Sequence, residues 1–316
     1  MMHFLKLIRL INLLIIVLTM YGVHTFLIAV NYDEMVNTHA VDFFLLVLST
    51  AMIAAGGNII NDYFDVKADR VNKPEKLIIT KHIKRRWAIV THWALNGIAF
   101  SIAIYLSIKY QSLWFVFIHL ISINTLWFYS MLFKRKVLVG NIMIASMTAL
   151  VPILVIVFFR VNNYSPYPHS EFDPLSWGAD IDYSVIYLIA AFAFVQNLAR
   201  EIVKDAQDIE GDRLIYVKSL PMVIGESKSL KIVMALLLAL PVFYVWISVI
   251  ELDTLVQSTS FLKASLPFAL AALLNLSVIL LMLIQKKKRL KLYDALIKIS
   301  MLCGVLATFY IAYLYS

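Results

Sequence analysis

Residues 58–74 read NIINDYFDVKADRVNKP, and residues 197–213 read NLAREIVKDAQDIEGDR. Asp62, Asp65 and Asp69 fall at i, i+3 and i+7, and Asp205, Asp208 and Asp212 repeat that spacing. At 3.6 residues per turn each triplet lies within an arc of roughly 60°, so each segment, if helical, carries a one-sided stripe of carboxylates. Asn61 leads the first stripe at an interval of four from Asp65. Both stripes follow directly on long apolar runs, the first beginning VDFFLLVLSTAMIAAGG at residue 41.

Composition says what those runs are. Of 316 residues, 61% are apolar and 15% charged, and mean hydropathy is +0.81. A soluble domain is nearer half apolar and a quarter charged, so a soluble fold is excluded. A membrane span needs about 20 residues. Nine segments qualify, at roughly 8–30, 40–60, 88–108, 111–131, 137–159, 183–203, 230–250, 264–284 and 295–315. The expected fold is an all-α polytopic membrane protein, a bundle of nine transmembrane helices forming one membrane domain over residues 1–316. The first apolar run is too long for a cleavable signal peptide and lacks a small-residue cleavage site. One cysteine excludes a disulfide framework and any multi-cysteine metal site.

The net charge of +8 could point to nucleic acid, but its distribution points to topology. Of 28 Lys and Arg, 25 fall in the N-terminal flank or in the regions after spans two, four, six and eight; only Lys109, Arg160 and Lys263 fall on the other side. Basic residues stay cytoplasmic during insertion. The N-terminus and the even-numbered loops, including KKKR at 286–289, are therefore expected on the cytoplasmic side and no nucleic-acid partner is implied. The stripes end spans two and six, four spans apart, so both emerge on that same face.

Two like charges about 6 Å apart cost roughly 3 kcal/mol at an effective dielectric near 20. Carrying an ionisable group into hydrocarbon adds roughly 2.5–3.5 kcal/mol. A duplicated stripe at a membrane boundary therefore calls for a multivalent cation. The ligands are all oxygen, with no His or Cys in either stretch, which argues against zinc or copper and for Mg²⁺, Mn²⁺ or Ca²⁺. Mg²⁺ is commonly shared between carboxylates and phosphates, and the interleaved Lys and Arg suit a phosphate beyond the metal. Two other readings compete. The acids could form a solvated face neutralised by Arg70, Lys73, Arg200, Lys204 and Arg213, or they could belong to a divalent-cation transporter. Transporter sites lie near the bilayer midplane on broken helices, whereas these stripes lie at span ends.

NDYFDVKADRVNKP resembles the first signature of the UbiA superfamily of intramembrane prenyltransferases, Asn-x3-Asp-x3-Asp, and KDAQDIEGDR resembles the second, Asp-x3-Asp. The resemblance covers essentially the whole chain. It implies a cavity opening to the cytoplasmic side and Mg²⁺-dependent transfer of a polyprenyl group from an allylic diphosphate to an acceptor. It assigns Asn61, Asp65 and Asp69 to one metal set and Asp208 and Asp212 to the other, with Asp62 and Asp205 in support. Lys73, Lys204 and Arg213 are diphosphate candidates by placement. YSMLFKRK resembles the family's Tyr-x4-Lys-Arg stretch and adds Tyr129, Lys134 and Arg135; RLIN resembles its acceptor-side polar pair and adds Arg9 and Asn12. The second signature is closer to the lipid-acceptor branch typified by digeranylgeranylglyceryl-phosphate synthase than to the 4-hydroxybenzoate branch. The expected acceptor is thus a lipid precursor such as geranylgeranylglyceryl phosphate, with an aromatic, quinone-pathway acceptor as the alternative, and the expected location is the cell inner membrane. A phosphorylated alcohol needs a further basic partner, which the sequence does not single out. Two departures stand out. The family's Arg-Pro-x-Pro-Ser-Gly turn after NKP is replaced by EKLIITKHIKRR, and Tyr216 stands where glycine is common.

Overall fold

The computed structural model describes residues 2–30, 39–162, 183–214, 216–246, 261–284 and 289–315. Among the described residues there are eleven helices: α1 (Met2–Leu7), α2 (Leu10–Val30), α3 (Ala40–Asn72), α4 (Arg85–Lys109), α5 (Trp114–Met131), α6 (Val139–Asn162), α7 (Ser184–Leu214), α8 (Leu220–Ile224), α9 (Glu226–Trp246), α10 (Phe261–Ile284) and α11 (Leu290–Tyr315). Eight of them are long and apolar enough to cross a membrane. The expected seventh span coincides with α9 for its first part; residues 247–250 lie outside the described residues, as do the outer segment 163–182 and most of KKKR. The chain is an integral membrane protein, and large apolar side chains such as Leu14, Leu18, Leu270, Leu273 and Leu280 line its outer faces.

The break between the third and fourth spans falls where expected. Helix α4 ends at Lys109, Gln111 takes φ 50°, and α5 starts at Trp114. The two motif helices run further than their apolar stretches. Helix α3 has 33 residues and α7 has 31, about 50 and 46 Å at 1.5 Å per residue, against a hydrocarbon core of about 30 Å. Backbone hydrogen bonding does not stop where hydropathy falls, so the carboxylate stripes ride on the same helices that span the bilayer.

Helix α3 packs on α2, α4, α5 and α7, while α7 packs on α3, α6, α9 and α11, and α11 closes back onto α2. The helices bearing the two motifs are thus direct neighbours. Where they cross, Gly211 of α7 lies so close to α3 that a Cβ there would sit 2.5 Å from the Ala68 carbonyl oxygen. Asn72 ties the crossing: its Nδ2 donates to the Asp208 carbonyl (2.8 Å), and its Oδ1 accepts from the Gly211 N–H (2.7 Å). At this end of the bundle a separate apolar cluster of Leu7, Ile8, Ile59, Val66, Ile78, Ile79 and Ala88 pins α1 and the loop after α3. That loop consists of a short 3-10 turn, Pro74–Lys76, and a tight reversal in which Thr80 takes φ 79° and its N–H donates to the Ile83 carbonyl (2.8 Å).

The opposite end is fastened by one buried acid. Asp42 accepts from Lys109 Nζ (2.6 Å), from the Tyr110 hydroxyl (2.6 Å) and from the Tyr105 hydroxyl (3.3 Å). The pairing is not legible in the sequence, because Asp42 is embedded in an apolar run and its donors lie more than 60 residues away.

Candidate functional site

The crossing of α3 and α7 brings the two acidic stripes to one end of the bundle, and basic residues from other elements reach in between them. Lys134, in the 3-10 turn Phe133–Arg135 after α5, pairs with Asp65. Lys73, at the end of α3, reaches across to Asp208 of α7 (2.6 Å). Arg9, in the left-handed break between α1 and α2 (φ 55°), pairs with Asp62 (2.7 Å). Asp205 accepts from Asn141 Nδ2 near the start of α6 (2.8 Å). Gly140 makes this possible by allowing α6 to nest against the turn, since a Cβ there would meet the Tyr129 ring at 3.0 Å and the Lys134 Cα at 3.1 Å.

Lys134 links the two motifs electrostatically. Burial works to lower its pKa, but the fields of Asp65, Tyr129 and Asp212 hold it well above the ordinary lysine value. One ammonium therefore feels a carboxylate from each stripe. The last carboxylate of each stripe has no direct partner: among the described residues, neither Asp69 nor Asp212 has a side-chain hydrogen bond or ion pair, although Asp212 is only 4% exposed. The side-chain oxygen of Asn61 is also buried without a hydrogen-bond partner.

That donor set fits a hard divalent cation. It offers an amide oxygen and carboxylates and no imidazole or thiolate, and three of its members have no competing protein partner. Among the described residues, no three His, Cys, Asp or Glu side chains stand close enough to form a ready-made metal cage. With Lys134 and Lys73 each occupying a carboxylate, a cation would complete its shell with water or ligand oxygens, as Mg²⁺ commonly does.

The remaining sequence candidates are dispersed. Arg135 and Arg213 are exposed, and Arg135 contributes through its carbonyl, which accepts from the Lys218 N–H (3.2 Å). Lys204 pairs with Glu201 on its own helix (2.7 Å). Asn12 accepts from Lys298 Nζ (2.7 Å). Asn72 and Asn141 belong to the site's framework and were not singled out from sequence; a polar amide within or just past an apolar span is the signal that could have found them. An apolar groove of about 460 Å³ lies between α6 and α7, lined by Ala149, Ile153, Tyr187, Ala191 and Phe194 among others. Its α7 residues, 187–195, lie roughly 15–27 Å along the helix from Asp205.

Residues 22–302 match the model of the UbiA prenyltransferase family. The chain belongs to that family. Among its UbiA relatives, digeranylgeranylglyceryl phosphate synthase of Thermococcus gammatolerans is 31% identical over 185 residues, 58% of either chain, so the match spans less than two thirds of that relative. A solved structure described as digeranylgeranylglyceryl phosphate synthase in membranes superposes with a TM-score of 0.63 at 23% identity, covering 98% of this chain and 97% of that one. A UbiA homologue from Archaeoglobus fulgidus bound to GPP and Mg²⁺ superposes with a TM-score of 0.60 at 16% identity, covering 98% and 99%. The UbiA fold therefore extends over nearly the whole chain. Tyr216 takes φ 57° just past α7, a left-handed conformation that a residue without Cβ adopts at no steric cost.

Proposed function

We propose that this chain transfers a polyprenyl group from an allylic diphosphate to a phosphorylated lipid alcohol such as geranylgeranylglyceryl phosphate, at the cytoplasmic face of the cell inner membrane. One observation carries the reading: the crossing at Gly211 sets the unpaired Asp69 and Asp212 at one end of the bundle, with Lys134 in the field of both motifs. Asn61, Asp65 and Asp69 would hold Mg²⁺ from one side, and Asp208 and Asp212 from the other. When bound, Mg²⁺ offsets the negative charge that grows on the departing diphosphate.

The protein's own residues supply the rest. Lys134 and Lys73 serve as internal counter-ions for Asp65 and Asp208; when a diphosphate arrives they turn to its oxygens and release those carboxylates. Tyr129, against Gly140, closes the site beside Lys134. The isoprenoid tail would run from the carboxylates toward the apolar groove between α6 and α7, whose α7 lining begins about 15 Å along the helix from Asp205. The acceptor hydroxyl oxygen bonds to C1 of the allylic group as the C1–O bond breaks. The electron pair leaves with the diphosphate, which takes up the hydroxyl proton.

A transporter fits less well, because the carboxylates stand at helix ends among bases rather than at broken helices in mid-membrane. The test is diphosphate release by purified protein from geranylgeranyl diphosphate, with and without Mg²⁺ and acceptor. Release should require both and should vanish in Asp65→Asn and Asp208→Asn; unchanged turnover in both variants would remove the assignment.

A further inference from the structure

Behind the paired carboxylates lies a second polar assembly, built from α2, α7 and α11. Arg200 of α7 faces Asp294 of α11 at 2.8 Å, and Lys204, one turn on, pairs with Glu201. Lys298, one turn beyond Asp294, donates to Asn12 of α2. Asn12 in turn hydrogen-bonds through its N–H to the carbonyl of Arg9 (2.8 Å), whose guanidinium holds Asp62. Each of these cations is within electrostatic reach of others: Lys298 feels Arg200, Lys204 and Arg9 with only Asp294 opposing them, and Glu201 feels Arg200 and Arg9 as well as Lys204.

The charges do not balance. Arg9, Arg200, Lys204 and Lys298 face Asp62, Glu201 and Asp294, which leaves one positive charge over. The surplus is Lys298: among the described residues, no carboxylate lies within ion-pair distance of it, and its hydrogen-bond partner is a neutral amide. The pair beside it is loosely made. Arg200 Nε and Asp294 Oδ1 are both buried and, although 2.8 Å apart, are not aligned as a hydrogen bond. Four cations converging inside a membrane bundle, with one lacking a direct carboxylate partner and sharing Asp294 with Arg200, are costly unless an anion joins them. The assembly is anchored at Asp62, seven residues before Asp69, and so sits about 10 Å deeper along α3 than the last carboxylate. That offset leaves room for a reacting carbon and a hydroxyl between two anionic groups.

We propose that Arg200, Lys204 and Lys298, with Arg9, form the seat for the phosphate of the acceptor, with Lys298 contributing the charge that selects a phosphorylated alcohol over a neutral one. The inference rests on the prenyl-transfer reading above and assigns Lys204 to the acceptor rather than to the diphosphate. In this arrangement the acceptor's hydroxyl points from the seat toward the carboxylate end, where the allylic carbon lies.

The test compares geranylgeranylglyceryl phosphate with its dephosphorylated alcohol as acceptors for geranylgeranyl diphosphate. Lys298→Met should raise KM for the phosphorylated acceptor at least tenfold and leave KM for the donor and for the neutral alcohol within twofold; Lys298→Arg should restore the preference. If KM for the phosphorylated acceptor stays within twofold in Lys298→Met, or both acceptors suffer alike, the seat is elsewhere. Wild-type protein gives the same answer without a variant, since the neutral alcohol should show a KM at least tenfold above that of its phosphate ester, and equal values overturn the proposal. Wild-type release of diphosphate with 4-hydroxybenzoate but not with the phosphorylated alcohol would overturn this inference and leave prenyl transfer standing. No release with any acceptor would overturn the reading beneath it.

Discussion

Replacing Gly211 by alanine tests whether the helix crossing sets the chemistry. The added Cβ would lie 2.5 Å from the Ala68 carbonyl oxygen and 2.4 Å from Asn72 Nδ2, where ordinary contact begins at 3.4 Å. The Asn72 side chain can swing away, but the carbonyl belongs to the α3 backbone, so the helices must part by about 0.9 Å there. Losing the two Asn72 bonds costs about 0.5–1.5 kcal/mol each, and overpacking adds about 1–3 kcal/mol. The catalytic loss should exceed the loss of stability, because the same displacement separates Asp65 and Asp69 from Asp208 and Asp212. A misplacement near 1 Å costs on the order of 100-fold in rate. The assay is Mg²⁺-dependent diphosphate release in detergent, alongside circular dichroism and size-exclusion to confirm that Gly211→Ala remains helical and monodisperse. A Gly211→Ala protein that turns over within threefold of wild type would refute the argument that this contact positions the motifs.

Three further outcomes are expected. Asp69→Asn and Asp212→Asn should each lower turnover by about 1,000-fold or more, near 4 kcal/mol of barrier, while the melting temperature without Mg²⁺ stays level or rises, because among the described residues neither carboxylate has a hydrogen-bond or ion-pair partner to lose; a marked fall in melting temperature would show that they are structural. Asp42→Asn, at the far end, should cost about 1–3 kcal/mol of stability through its weakened bonds to Lys109, Tyr110 and Tyr105, yet leave kcat at 25 °C within twofold, as thermal melts and steady-state assays on one preparation would reveal. Tyr216→Gly should stabilise by about 1 kcal/mol, since a left-handed residue with a Cβ is strained and Tyr216 is 86% exposed with little packing to forfeit; a lower melting temperature would contradict the strain argument.

The stripes are legible in sequence because spacing along a helix is a local property, and the neighbouring apolar runs say which elements are long enough to carry them. Span ends are less legible. The runs 40–60 and 183–203 stop where hydropathy falls, but the helices continue to Asn72 and Leu214 because their backbone bonding is indifferent to polarity. Partner choice is not legible at all. Nothing in YSMLFKRK says that Lys134 will find Asp65, and nothing in KLYDALIKIS separates Lys298, which reaches Asn12, from the topogenic charges around it. Those contacts depend on which helices adjoin, and adjacency is a property of the assembled bundle.

The counter-ion pairs have a consequence for biosynthesis. Asp65 gains Lys134 from 69 residues downstream, and Lys73 waits for Asp208 from 135 residues downstream. At about 5–20 residues per second on the ribosome, that interval is on the order of 7–27 s. For about the first half of it Asp65 of the nascent α3 lacks Lys134, and throughout it Lys73 lacks Asp208, so these charges must stay in reach of water until α6 and α7 emerge to complete the ensemble.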